Sequence, residues 1–150
     1  MSEENAVEIL IVEDTPEDLE LALRALRKAN LTNRIQIARD GAEAMEFIFA
    51  EGKYSGRKIE DGPKVVLLDL KLPKIDGMEV LRRIKSDPRT KTIPVVVLTS
   101  SKEQKDVVES YQLGVNSYIV KPVNFERFAA AVQDLGMYWL LLNQPPKLDG

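Results

Sequence analysis

The chain of 150 residues contains neither cysteine nor histidine. Without cysteine there is no disulfide framework, no thiolate nucleophile and no sulfur-held metal. Without histidine there is no Ser-His-Asp or Cys-His catalysis, no phosphohistidine on this chain, and no side chain whose unperturbed pKa lies near neutrality. Long hydrophobic runs are absent too: none approaches the roughly 18 apolar residues of a membrane span. The stretch Met1-Ser2-Glu3-Glu4-Asn5 is acidic and lacks the apolar segment of a secretory signal, so a cytoplasmic protein is the expectation. Positive charge is in short supply, 21 Lys and Arg against 24 Asp and Glu, which speaks against a nucleic-acid footprint. What remains is an ordinary globular mix, 44% hydrophobic and 30% charged, over a length that suits one domain. The expected unit spans residues 1–150, with a core at about 7–142 and a short tail at 143–150.

Short apolar runs rich in Val and Ile stand at Val7–Val12, Val65–Leu68, Val95–Leu98 and Tyr118–Val120, with a weaker one at Arg34–Ala38. They barely alternate, as strands covered on both faces do. Helical patterns lie between them. Pro16–Ala29 carries Leu19, Leu23 and Leu26 at helical spacing, with Thr15 placed to cap it and Pro16 at its first position. Others fit Ala42–Ala50, Gly77–Lys85 (capped by Asp76), Lys102–Leu113 (stopped by Gly114) and Phe125–Leu142 (capped by Asn124). Five successive βα units predict an α/β fold of the flavodoxin-like, doubly wound kind, with a parallel sheet in the order 2-1-3-4-5. The long polar segment Gly52–Pro63 reads as a surface loop without an assigned role.

Ligands of such folds bind beyond the carboxyl ends of the strands. There the sequence places Glu13 and Asp14 after strand one, Asp69 after strand three, Thr99 and Ser100 after strand four, and Lys121 after strand five. Three close carboxylates repel one another, and a hard divalent cation such as Mg²⁺, with Mn²⁺ as the alternative, neutralises them. A nucleophilic carboxylate can accept a phosphoryl group as an acyl phosphate, a lysine can pair with its oxygens, and a hydroxyl can donate to them. Singly, each residue has a plain reading: Asp14 as a solvated turn, Thr99 as a helix cap, Lys121 as a solvated cation. Together, at the ends of four strands, they point to phosphoryl transfer.

The segments Ile9–Asp14, VVLLDLKLPKIDG at Val65–Gly77, PVVVLTSS at Pro94–Ser101 and GVNSYIVKP at Gly114–Pro122 resemble the receiver domain of two-component response regulators, the CheY-like family. The resemblance covers about residues 7–142. It implies that Asp69 is the phosphoacceptor, that Asp14 ligates Mg²⁺ directly and Glu13 through water, and that the Lys71 backbone carbonyl completes the protein ligands. It implies that Thr99 hydrogen-bonds the arriving phosphoryl group, that Tyr118 swings inward when Thr99 moves, that Lys121 is the family's lysine, and that the Lys121–Pro122 bond is cis. Position 13 is Glu where many members carry Asp. The resemblance makes the chain a phosphoacceptor signalling protein rather than an enzyme, with a histidine kinase as partner and the helix 4, strand 5 and helix 5 surface as output.

The last helical pattern is apolar nearly all round. Phe125, Phe128, Val132, Leu135, Trp139 and Leu142 fit one stripe, yet Met137, Tyr138, Leu140 and Leu141 are apolar as well. A terminal helix of this kind invites a partner. The expectation is a homodimer through strand 5 and helix 5, with Phe125, Tyr138, Trp139 and Leu141 at its interface. The tail and the 52–63 loop are similar to stand-alone regulators that pair with bacterial phytochrome kinases. The rivals are weaker. A phosphatase with an aspartyl nucleophile would carry a second Asp two residues on, where Lys71 stands; a receiver-like module that is never phosphorylated would have lost Asp69 or the acidic pair; a cofactor carrier would need a phosphate-cradling loop where Glu13 and Asp14 repel phosphate.

Overall fold

The computed structural model describes residues 7–31, 34–110 and 112–136. In chain order it contains β1 (Ile9–Val12), α1 (Pro16–Lys28), β2 (Ile35–Ala38), α2 (Gly41–Ile48), β3 (Val65–Asp69), α3 (Gly77–Ser86), β4 (Val95–Thr99), α4 (Lys102–Ser110), β5 (Ser117–Val120) and α5 (Phe125–Asp134). The strands form one parallel sheet in the order β2-β1-β3-β4-β5, as the alternation of elements predicts. Among the described residues, no helix is long and apolar enough to cross a membrane.

Every residue of β1, β3 and β4 is buried, which is why these runs show no polar alternation. Successive side chains still point to opposite faces. Ile9, Ile11, Val65, Leu67, Val96, Leu98 and Ile119 pack against Leu19, Ala22 and Leu26 of α1 and Phe128 and Val132 of α5. Leu10, Val12, Val66, Leu68, Val95 and Val97 pack on the other face against α2, α3 and α4 through Phe47, Ile48, Leu81, Ile84 and Val108. Each fully buried aliphatic side chain contributes roughly 1.5–3 kcal/mol relative to exposure, so the two layers hold the strand ends in a fixed frame.

The helix ends refine the sequence reading. α2 begins at Gly41 because Asp40, not singled out in the sequence, caps it: its carboxylate accepts from the Glu43 amide at 2.7 Å. Asn124 caps α5 in the same way, accepting from the Arg127 amide at 2.8 Å. Thr15 and Asp76 occupy the cap positions of α1 and α3 but make no side-chain cap bond. α4 ends at Ser110, short of the expected Leu113, and Gln112 and Gly114 beyond it take positive φ. α5 ends at Asp134, not at Leu142. Gly136 adopts φ +71°, and the Leu135 and Gly136 amides fold back onto the carbonyls of Ala131 and Gln133. A left-handed glycine just past the last turn is a helix stop, and the apolar run around it masks the signal.

The segment between α2 and β3 holds two 3-10 turns, Gly52–Tyr54 and Ile59–Asp61. Tyr54 packs edge-on against Phe47 at 5.1 Å between ring centroids, and Arg57 lies 3.8 Å over the same ring while donating to the Phe47 carbonyl. The expected surface loop is therefore a strap pinned to α2.

Candidate functional site

Val12 pairs with Leu68, so the next residues, Glu13 and Asp69, leave the sheet side by side at the point where the strand order reverses. Both follow the parity of the face that packs on α1 and α5. The start of α3 closes over β3: the Gly77 amide donates to the Leu70 carbonyl at 3.1 Å, and a Cβ on Gly77 would stand 2.3 Å from the Asp69 carbonyl oxygen. Only glycine permits that approach, which fixes the backbone that carries Asp69.

Lys121 reaches this point from the end of β5. Its backbone amide is held by the Thr99 carbonyl at 2.8 Å, and its bond to Pro122 is cis. Its ammonium lies 3.0 Å from Asp69 Oδ2, 3.0 Å from Glu13 Oε1 and 3.1 Å from Asp18 Oδ2. The side chains of Glu13 and Asp69 are 1% and 7% exposed and that of Lys121 16%, so the cluster is nearly dry. Burial, and then the neighbouring Asp69, raise the Glu13 carboxyl from its ordinary range to about 7. Burial alone would lower Lys121; the carboxylates of Asp69 and Glu13 outweigh it and hold the ammonium above the ordinary lysine value.

Among the described residues, two buried side-chain polar atoms have no hydrogen-bond partner, Glu13 Oε1 and Thr99 Oγ1. The first stands at ion-pair distance from Lys121 but outside hydrogen-bonding alignment, while Glu13 Oε2 accepts from the Thr15 amide at 3.2 Å. Buried polar atoms without partners are uncommon and call for a physical explanation. Hard carboxylate oxygens, a carboxyl raised by burial and by the neighbouring Asp69, and an oxygen outside hydrogen-bonding alignment all fit a small divalent cation. As they stand, no three carboxylates among the described residues are close enough together to chelate an ion, because Lys121 sits between them.

The sequence-expected residues divide as follows. Glu13, Asp69 and Lys121 meet. Asp14 follows Glu13 but is exposed and joins none of the ion pairs around Lys121; the third carboxylate there is Asp18, on the first turn of α1. The Lys71 amide donates to Asp69 Oδ1 at 3.3 Å, which lays the Lys71 backbone against the carboxylate. Thr99 is fully buried, and it shares the parity of Val95 and Val97, facing α4 rather than α1. It therefore does not cap α4; the Ser101 hydroxyl does, accepting from the Gln104 amide at 3.1 Å. Tyr118 pairs with Val97 and packs on that same face, half-buried, with the Lys105 ammonium 5.2 Å from its ring centroid. Burial and the charge of Glu109 raise its hydroxyl pKa. Phe125 is half-buried with Lys28 5.3 Å over its ring, so part of its surface is taken within the chain. Tyr138, Trp139 and Leu141 lie outside the described residues.

Asp18 was legible and was missed. Asp18, Ala22 and Ala25 recur at i, i+4 and i+7, and Ala22 and Ala25 are buried against the sheet. A carboxylate on the core-facing stripe of a helix, at the end nearest the strand tips, calls for a cationic partner.

Residues 9–133 match the response regulator receiver domain family. Response regulator Rcp1 of Synechocystis is 42% identical over 132 residues, covering 88% of this chain and 88% of that protein. The Mn²⁺-bound form of response regulator Rcp1 superposes with a TM-score of 0.70 at 38% identity, over 93% of this chain and 97% of that one. The bacteriophytochrome response regulator RtBRR superposes with a TM-score of 0.85 at 52% identity, over 93% of this chain and 84% of that one. The phosphorylated cyanobacterial phytochrome response regulator RcpA gives 0.70 at 39% identity, over 93% and 96%.

Proposed function

Because the chain belongs to the response regulator receiver family, we propose that it accepts a phosphoryl group on Asp69 from the phosphohistidine of a partner kinase and signals by a change of surface. The observation that carries this reading is the Asp69 carboxylate, 7% exposed at a strand end, with the Lys121 ammonium 3.0 Å away and the Lys71 amide on its other oxygen. A carboxylate oxygen of Asp69 attacks phosphorus, the P–N bond to the kinase imidazole breaks, and the departing nitrogen takes up a proton. The negative charge of the acceptor then resides on phosphoryl oxygens, where Lys121 pairs with it. Asp69, the exposed Asp14 and the Lys71 carbonyl, with Glu13 acting through water, would hold a divalent cation, Mg²⁺ or Mn²⁺, whose charge would offset that of the transferring group.

The hydroxyl of Thr99 has no partner and stands one residue beyond the Asp69–Leu98 register pair. It donates to a phosphoryl oxygen once one is present, and the shift of the β4–α4 connection makes room for Tyr118. A phosphoryl group biases the protein only through contacts that differ between the two states, and this hydroxyl supplies one. The α4, β5 and α5 surface is then the output face. The likeness to RtBRR and RcpA supports a kinase of the phytochrome type as partner. The homodimer expected from Tyr138, Trp139 and Leu141 rests on the sequence alone.

Intact-mass measurement after incubation with acetyl phosphate and Mg²⁺ tests the reading. One added phosphoryl group, absent in Asp69→Asn, is the expected result. No added mass on the wild-type chain under the same conditions overturns it.

A further inference from the structure

We propose that Asp18 is a positioning residue for Lys121: from α1 it holds the ammonium where that group can follow charge from the Asp69 carboxylate to a phosphoryl oxygen. The inference rests on the phosphoacceptor reading of Asp69.

The Lys121 ammonium has three N–H donors. Two are in hydrogen-bonding alignment, one toward Asp69 Oδ2 at 3.0 Å and one toward Asp18 Oδ2 at 3.1 Å. The third carboxylate, Glu13, is close but not aligned. The Lys121 backbone is fixed at the end of β5, whereas its ammonium rides on a flexible four-carbon stem that needs holding. Of its three acidic partners, Glu13 and Asp69 are the two that phosphoryl transfer engages. Asp18 is the one left over. Its side chain is 31% exposed, on the outer side of the ammonium, whereas those of Glu13 and Asp69 are buried.

The carrier of Asp18 is rigid. It is the third residue of α1, and the next residue, Leu19, together with Ala22, Ala25 and Leu26, anchors the helix on the sheet. Groups held by packed helices keep their geometry better than groups on loops. When Asp69 gains a phosphoryl group, the contact to Asp18 persists, and the ammonium turns about it. Without Asp18, Lys121 leans on Glu13 and Asp69 alone, where it blunts the nucleophile and obstructs the cation.

A plain structural role exists for Asp18, because acidic residues in the first turn of a helix favour its dipole. Glu17 serves that role equally and makes no contact with Lys121. Glu17→Gln is therefore the control.

The test uses the full chain with acetyl phosphate and Mg²⁺, read as the rate of mass gain. Asp18→Asn is expected to gain mass about tenfold more slowly than wild type, the effect of one hydrogen bond to a charged group. Glu17→Gln is expected to match wild type. In donor-free protein, a urea-unfolding cycle of Asp18→Asn and Lys121→Met is expected to show that the two effects do not add. An Asp18→Asn rate equal to wild type, an equal slowing in Glu17→Gln, or additive unfolding effects would each overturn the inference. Absence of phosphoryl uptake by the wild type itself is the separate result that removes the functional reading and the inference together.

Discussion

Lys121 Nζ stands 3.0 Å from Asp69 Oδ2 across a sequence separation of 52 residues, and it is the cation that lets Asp69 and Glu13 lie side by side in a nearly dry site. Replacing it by Met leaves two buried carboxylates facing each other. Lys121→Met is expected to lose about 1–3 kcal/mol of stability at neutral pH, the cost of stranding buried charged groups once Glu13 relieves part of it by taking a proton. Added Mg²⁺ is expected to restore stability more in the variant than in wild type. Urea unfolding with and without Mg²⁺ checks both, and a variant as stable as wild type without the cation contradicts them.

Thr99 carries a buried hydroxyl with no partner. A valine of nearly the same shape removes that unsatisfied group. Thr99→Val is expected to unfold at a higher temperature than wild type, by the equivalent of about 1 kcal/mol. It should still take up a phosphoryl group while failing to show the change around Tyr118 that follows it. Calorimetry and the Tyr118 ring resonances by NMR, with and without phosphoryl donor, are the measurements. A less stable variant means the hydroxyl has a partner after all.

Asp40 accepts from the Glu43 amide at 2.7 Å, and that bond, helped by Lys74 at 3.4 Å, holds its carboxyl below the ordinary aspartate value. Asp40→Ala is expected to cost about 1 kcal/mol at neutral pH, as helix caps do. A depressed pKa in the folded state gives stability that is present above the unfolded value and lost as pH falls through the folded one. The gap between wild type and Asp40→Ala should therefore be constant above pH ~5 and close below pH ~4. Urea midpoints across that range decide the matter, and a gap that widens in acid refutes the assignment.

Self-association is expected through strand 5 and the apolar residues beyond it. Sedimentation should show a dimer in wild type and a shift toward monomer in Trp139→Ala with Leu141→Ala. A clean monomer at high protein concentration, with and without phosphoryl donor, would exclude it.

Much of this molecule could be read in advance. Runs such as Val65–Asp69 and Val95–Thr99 are buried on both faces, and their unbroken apolar character says so directly. Asp69, Glu13 and Lys121 were legible because each polar residue ends such a run, and a parallel sheet brings those ends together. Helix boundaries were less so. The end of α5 lies inside an apolar run, where one left-handed glycine, Gly136, outweighs the pattern around it. One member of the Lys121 cluster was not foreseen: Asp14 is adjacent to Glu13 in sequence, but it is exposed and joins none of the ion pairs around Lys121. Asp18 comes close instead, because one turn of α1 carries it back over the strand tips.

That same alternation divides labour between the two faces of the sheet. Glu13, Asp69 and Lys121 belong to the side of α1 and α5, whereas Thr99 and Tyr118 belong to the side of α4. The ion-pair cluster and the Thr99–Tyr118 pair thus lie on opposite faces of one sheet. Because a side chain's face follows from its register, a one-residue slip in β4 would carry Thr99 from the α4 side to the side of α1 and α5 and would break the Asp69–Leu98 pairing at the same stroke.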